Sequence, residues 1–296
     1  MKNRLLRLWL VPVLAFVAAL GNAYTALAGD DVNALYWNPA GLAQVRKKEL
    51  GFTHAQWLLG TQYNFAAFSL PVDGAVLGQG DYHGALALGL MGVSVDGVDS
   101  RGADRSAQAG VEAGDRAFLL GTGVNHGPSG LNAGLGFKFI ESEIAGFTAR
   151  TFAVDLGLQR KFSLGRAPLR AGFAARNLGP GLKFLDQRDP LPSTLSLGLG
   201  GAFNHTINLA LDLNYHLGEN RISVGAGTEL TPLRFMALRA GYIQSAAGGG
   251  SSAGLGGLVG LAGGFGLRMS RYQLDYTFAP FGELGNTQRI SFGTRF

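Results

Sequence analysis

The sequence predicts an all-β protein, an outer-membrane antiparallel barrel of about fourteen strands with a small N-terminal helical or irregular plug in its lumen. Three observations carry that prediction. The chain ends in strict alternation, TQRISFGTRF over residues 287–296; stretches of the same kind recur upstream; and 47 of the 296 residues are glycine although 47% are hydrophobic. In the closing strand Ile290, Phe292, Thr294 and Phe296 share one face, and Arg289, Ser291, Gly293 and Arg295 the other. A membrane barrel turns the apolar face to lipid and the polar face inward. A soluble edge strand alternates too, so the number of such strands decides. Glycine at this density opposes helices, costing about 1 kcal/mol each relative to alanine. The chain is too apolar for a disordered glycine-rich segment. Glycine does suit curved sheet and small lumen-facing positions.

Taken in order, Lys2, Arg4 and Arg7 precede an apolar run from Leu8 to Leu20, the pattern of a secretory leader. Pro12 interrupts that run, which is too short to span a bilayer as a helix. A signal peptide is expected over 1–19, with cleavage between 19 and 28 because Val17/Ala19 and Ala26/Ala28 both offer small residues at the right spacing. Residues 20–47 lack β-alternation and form the expected plug, with Ala26, Leu27, Leu35, Trp37 and Leu42 needing burial. Its Asn38-Pro39-Ala40-Gly41 step is turn chemistry, since proline fixes φ and holds the preceding residue extended.

The barrel is expected over 48–296, with strands near 48–57, 62–70, 82–94, 115–125, 130–141, 149–162, 168–177, 193–203, 206–217, 221–230, 234–243, 255–267, 269–279 and 287–296. The clearest runs from Ile207 to Leu217, where six apolar residues alternate with Asn208, Ala210, Asp212, Asn214 and His216. Phe152–Gln159 and Arg271–Phe278 read the same way. If the first strand leaves the periplasm, the long connections near 95–114, 142–148, 178–192, 244–254 and 280–286 fall outside and the short ones inside, as such barrels show. Residues 248–266 carry a G-x-x-x-G spacing, but their glycine content favours an outer loop entering a strand over a helix.

Composition narrows function. A leader would remove three cations and no acid, so the formal net charge of +5 falls to about +2 and gives no support to nucleic-acid binding. There is no cysteine, hence no disulfide framework or thiolate nucleophile. The five histidines fall into no metal-ligand spacing, and no nucleophile elbow is present, so neither cofactor, metal nor catalysis is expected.

The expected lumen-facing polar network comprises Asp212, Arg221, Glu229, Arg239, Arg271, Asp275 and Arg289, with Arg295 beside it. It reads either as a pathway or as charge pairing that holds the barrel's shape. Asp30 and Asp31 read either as plug anchors to a luminal arginine or as a solvated pair, and Trp57 as an interface anchor.

Several segments in order carry a resemblance: ALAGDDVNALYWNPAGLA at 26–43, GFTHAQWL at 51–58, FAVDLGLQ at 152–159, ARNLGPGLKF at 175–184, LPSTLSLG at 191–198, LRAGY at 238–242 and LDYTFAPFGELGNTQRISFGTRF at 274–296. The chain resembles the PorV/PorQ family of outer-membrane proteins, a branch of the FadL-type barrel fold. The resemblance implies a hatch around Asp30, Asp31, Trp37, Asn38, Pro39, Ala40 and Gly41, and an assembly signal at Ile290, Phe292 and Phe296 read by barrel-assembly machinery. It also implies passage of hydrophobic small molecules or, as in the PorV branch, escort of exported proteins of the type IX secretion system. A structural barrel without cargo is the third reading. Outer-membrane lipid, the assembly machinery, and a hydrophobic ligand or an exported protein are the expected partners.

Overall fold

Fourteen strands close into one antiparallel barrel. The computed structural model describes residues 15–29, 31–57, 60–73, 83–101, 107–165, 167–203, 206–246, 260–280 and 286–296. Most of the expected leader, Asp30, and residues 247–254 of the outer loop expected at 244–254 therefore lie outside the described residues. The barrel strands are β1 (Glu49–Gln56), β2 (Thr61–Asp73), β3 (His83–Arg101), β4 (Ala107–His126), β5 (Leu131–Ile144), β6 (Phe147–Leu164), β7 (Ala167–Leu178), β10 (Thr194–Phe203), β11 (Ile207–His216), β12 (Arg221–Leu233), β13 (Met236–Ala246), β14 (Leu261–Met269), β15 (Tyr272–Pro280) and β16 (Asn286–Arg295). Between β7 and β10, β8 (Leu182–Phe184) and β9 (Gln187–Asp189) form a small separate hairpin.

Each barrel strand pairs with its neighbour in the ring, and β1 pairs with β16 from Glu49↔Arg295 to Gln56↔Gln288, so no sheet edge is left open. Closure also satisfies the backbone polar groups that hydrocarbon cannot. Among the described residues no helix is long and apolar enough to cross a membrane; the strands do so instead. Their outward positions form an apolar belt. On β11, Ile207, Leu209, Leu211 and Leu213 are exposed while Ala210, Asp212 and Asn214 are buried. On β16, Ile290 and Phe292 face out, as does Phe296 just beyond the strand, while Arg289 and Ser291 are buried. An apolar exterior on a closed barrel is the architecture of a bacterial outer-membrane protein. The β5–β6 connection is a two-residue turn with positive φ at Ala145 (50°) and Gly146 (81°), the combination that matches strand twist.

Three regions differ from expectation, the first being the β5–β6 connection, expected as a long outer loop near 142–148 but closed by the two-residue turn at Ala145 and Gly146. Residues 95–114 were expected as a loop, but β3 runs to Arg101 and β4 begins at Ala107, paired beyond Val95 through register shifts at Val98 and Ser100. Residues 178–192 contain the β8–β9 hairpin.

The lumen is occupied by the N-terminal segment. It comprises helix α1 (Ala15–Ala19), helix α2 (Ala34–Trp37) and a 3₁₀ turn at Pro39–Gln44. Asn38 is extended (φ −158°, ψ 102°) and its Oδ1 accepts from Ala40 N at 3.1 Å, with Pro39 opening the turn, as the N-P-A-G step predicts. Val17–Leu20, at the expected end of the leader, are buried too, and α1 packs against β13–β16.

Candidate functional site

The plug rests on a track of wall glycines. Gly123, Gly134 and Gly157 lie side by side on β4, β5 and β6. Gly172, Gly198, Asp212 and Gly225 do so on β7, β10, β11 and β12. A Cβ at Gly134 would strike the Pro39 carbonyl carbon and Ala40 N; one at Gly157, Asn38 Oδ1; one at Gly172, Thr25 O; one at Gly225, Gly21 O. Plug backbone thus lies directly against wall backbone, which side chains larger than hydrogen would prevent. Much of the chain's unusual glycine content has its explanation here.

Polar contacts hold one side of the plug. Asp212 Oδ2 accepts from Tyr24 N (3.0 Å) and Thr25 N (2.8 Å). Gln159 Nε2 donates to Thr25 O (3.0 Å) and Ala28 O (2.6 Å), and Gln44 Nε2 donates to Gln159 Oε1 (3.0 Å). Asn38 Nδ2 donates to Thr25 O at 2.8 Å within the plug, and to the wall carbonyls of Phe173 (3.3 Å) and Leu158 (3.4 Å). The anchoring carboxylate therefore belongs to the wall. Asp31, for which a plug anchor was one of two readings, is buried and accepts from Tyr24 Oη (2.8 Å) and Asn33 N (2.9 Å), both in the plug.

Two cations sit over plug aromatics, Lys138 Nζ 5.1 Å from the Tyr36 ring centroid and Arg176 Cζ 5.2 Å from that of Trp37. Lys138 Nζ lies 2.6 Å from Asp155 Oδ2 and donates to Asn177 Oδ1 at 2.7 Å, while Asp155 Oδ1 accepts from Asn177 N at 2.7 Å. Removing one partner of such a pair strands a buried charge. Lys138→Met is expected to lower barrel stability by about 3–5 kcal/mol, read as the urea midpoint in detergent, with Asp155→Leu added in the same chain restoring most of it. An unchanged midpoint for the single variant would show the pair to be energetically idle.

The opposite side of the plug meets apolar wall. On β1–β4 the buried luminal residues include Ala55, Tyr63, Phe65, Ala67, Ala87, Met91, Val93, Ala117 and Leu119. Val32 and Leu35 face them, with Tyr36 and Phe65 rings 6.5 Å apart, edge to face. A Cβ at Gly89 would lie 2.9 Å from Leu35 Cδ2. The lumen is two-sided, mostly apolar on β1–β4, where Glu49, Thr53, Thr61 and Ser69 are the buried polar exceptions on β1 and β2, and hydrogen-bonded to the plug on β6–β11. Trp57, expected as a membrane anchor, packs toward this interior cluster.

Of the expected luminal network, Asp212, Glu229, Arg239, Asp275 and Arg289 are buried inside. Arg239 joins Glu229 (Nε to Oε2, 2.7 Å) and Asp275 (Nη1 to Oδ1, 2.6 Å), bridging β12, β13 and β15. Arg221 pairs with Glu219 of the β11–β12 turn at 2.9 Å, away from that group. Arg271 lies one residue before β15, exposed, with its guanidinium 5.3 Å from the Tyr272 ring centroid, so it is not part of the network. Arg295 reaches Glu49 across the β1–β16 seam at 3.3 Å. Arg289 is the exception: its Nε and Nη1 are buried and bonded to no described residue, beside Tyr63, whose hydroxyl is likewise unbonded among the described residues.

Sequence reasoning missed Lys138, Asp155, Gln159 and Arg176 as a site. Lys138 had a signal, a lone cation in the otherwise apolar run GLGFKFI, and Asp155 and Gln159 fall on the polar face of an alternation already visible.

No protein-family model matches the chain, and no curated protein matches it in sequence. Solved structures do. The chain is similar to the CymD monoaromatic hydrocarbon channel (TM-score 0.65, 14% identity, 96% of this chain and 97% of that one). It is also similar to a Pseudomonas aeruginosa FadL homologue (TM-score 0.61, 13% identity, 97% and 98% covered). A TodX monoaromatic hydrocarbon channel mutant follows at TM-score 0.57, with 14% identity and 89% and 94% covered. The protein is thus a plugged outer-membrane barrel. More narrowly, its fold is FadL-like.

Proposed function

We propose that this protein passes hydrophobic small molecules across the outer membrane, along the apolar wall of β1–β4 when the plug withdraws from it. The observation that carries the reading is the apolar luminal face itself, since a water-filled pore needs polar walls. Contacts on that side are mainly between apolar groups, while those on β6–β11 include several hydrogen bonds, so the plug can swing about its bonded side. Arg289, with unused donors beside Tyr63, offers a polar handle for one end of an otherwise apolar passenger. The likeness in fold to the CymD and TodX monoaromatic hydrocarbon channels supports the same reading.

The test is uptake of toluene and of oleate into proteoliposomes. Leu119→Asp, which puts a carboxylate on the apolar wall, is expected to cut uptake at least about tenfold while the barrel still forms. Uptake at the wild-type rate would sink the proposal. The export-escort role implied by the PorV/PorQ resemblance would act through the extracellular loops; intact protein secretion in a strain deleted for this chain would count against it.

A further inference from the structure

Outside the barrel, the apolar belt is broken along one rung of the ladder. The register sets His54, Asn64, Gly92, Arg116, Glu141 and Arg150 side by side on β1 to β6. These positions share the face of Phe52, Leu90, Phe118, Phe139 and Phe152, all lipid-exposed, and lie toward the connections assigned to the extracellular side. The neighbouring rung is apolar, with Phe52, Ala66, Leu90, Phe118, Phe139 and Phe152 in register.

Two small residues, Ala66 and Gly92, leave a notch where these rungs meet, a cavity of about 490 Å³ walled by Phe52, Leu90, Phe118 and Phe139. A Cβ at Gly92 would meet nothing within 4 Å, so neither packing nor strain within the barrel requires glycine there. Asn64, Arg116 and Glu141 are its polar lining. Glu141 is engaged by Arg150 at 2.7 Å, which leaves Arg116 without an ion pair among the described residues. The rung thus holds two guanidiniums against one carboxylate, with Glu143 one rung further out, opposite Gly114.

We propose that the notch is a binding site for one outer-leaflet lipid of the lipid A type, an acyl chain lying over Ala66 and Gly92 and a phosphate on Arg116 and Asn64. An acyl chain fits the apolar floor, and a phosphate matches Arg116, which has no ion-pair partner among the described residues. The extracellular position selects the outer leaflet. This proposal rests on the membrane barrel alone and stands or falls apart from any passage through the lumen.

Native mass spectrometry of delipidated protein in mild detergent, with lipid A, dephosphorylated lipid A and phosphatidylglycerol as probes, tests it. The wild type is expected to retain one lipid A, in preference to both other probes. Gly92→Leu and, from the other wall, Ala66→Leu fill the notch and are expected to reduce retention at least about tenfold. Arg116→Gln is expected to abolish the preference for lipid A over its dephosphorylated form. Heat-resistant migration on gels reports that each variant has folded. Equal retention of phosphatidylglycerol, or unchanged retention in folded notch-filling variants, would overturn the proposal. So would loss of hydrocarbon uptake in those variants with lipid retention intact, which would make the notch a passage instead.

Discussion

Cysteines at Leu35 of the plug and Gly89 of β3 are expected, once oxidised, to reduce uptake of hydrophobic probes at least about tenfold, and reduction is expected to restore it. The pair is chosen on the apolar side, where a Cβ at Gly89 would stand 2.9 Å from Leu35 Cδ2. Replacing Leu35 vacates the space the new side chain needs. The native chain has no cysteine, so no competing disulfide arises. The bridge would tie the plug to the wall it must leave, while the Asp212 and Gln159 contacts stay as they are. Passage along β1–β4 requires the loss. Full uptake through a demonstrably oxidised barrel would mean that molecules travel elsewhere or not at all.

The second large effect concerns the glycine track. Gly134→Val is expected to unseat the stretch from Asn38 to Gln44, because the new side chain would meet the backbone at Pro39 and Ala40, where no rotamer change can make room. Amide exchange over residues 34–45 is then expected to quicken by about 100-fold or more, while the strand amides of β11–β16 keep their protection. An outward-facing glycine such as Gly92 accepts alanine without this effect, since its Cβ direction is open. Wild-type protection of the plug in Gly134→Val would show that the close approach is not what seats it.

The strands were legible because a barrel in lipid writes its two solvents into the sequence at period two. Ile207–Leu217 and Thr287–Phe296 show it most cleanly, and both face as their alternation requires. The apolar sector escaped the same logic. In β3, ALALGLMGV is apolar on both faces, because the plug covers the inner one as lipid covers the outer, much as helices cover both faces of a parallel sheet. The extensions of β3 and β4 read as loop because VDGVDS and AQAGVEAGD are rich in aspartate, glutamate and glycine, residues depleted in strands. Arg271 falls outside the luminal network, exposed at the rim, because β15 begins one residue later at Tyr272. Of the site, the Asn38–Gly41 turn was visible in its own residues. The Asp212 and Gln159 contacts were not, since they join the plug to wall residues more than 130 positions further along the chain, and the Lys138–Asp155 pair depends on the register of the β5–β6 hairpin.

Those contacts bear on the order in which the molecule can be assembled. Tyr24 waits for Asp212, 188 positions along the chain, and Gly21 lies against the backbone of Ala226 and Tyr242. The stretch synthesised first finds its seat only after the β13 end of the wall has been made, and such distant pairings are paid for in chain entropy before they return any energy. The plug's final docking is therefore among the last events of folding. Until then the ring's inner apolar face, on β1–β4, is still bare.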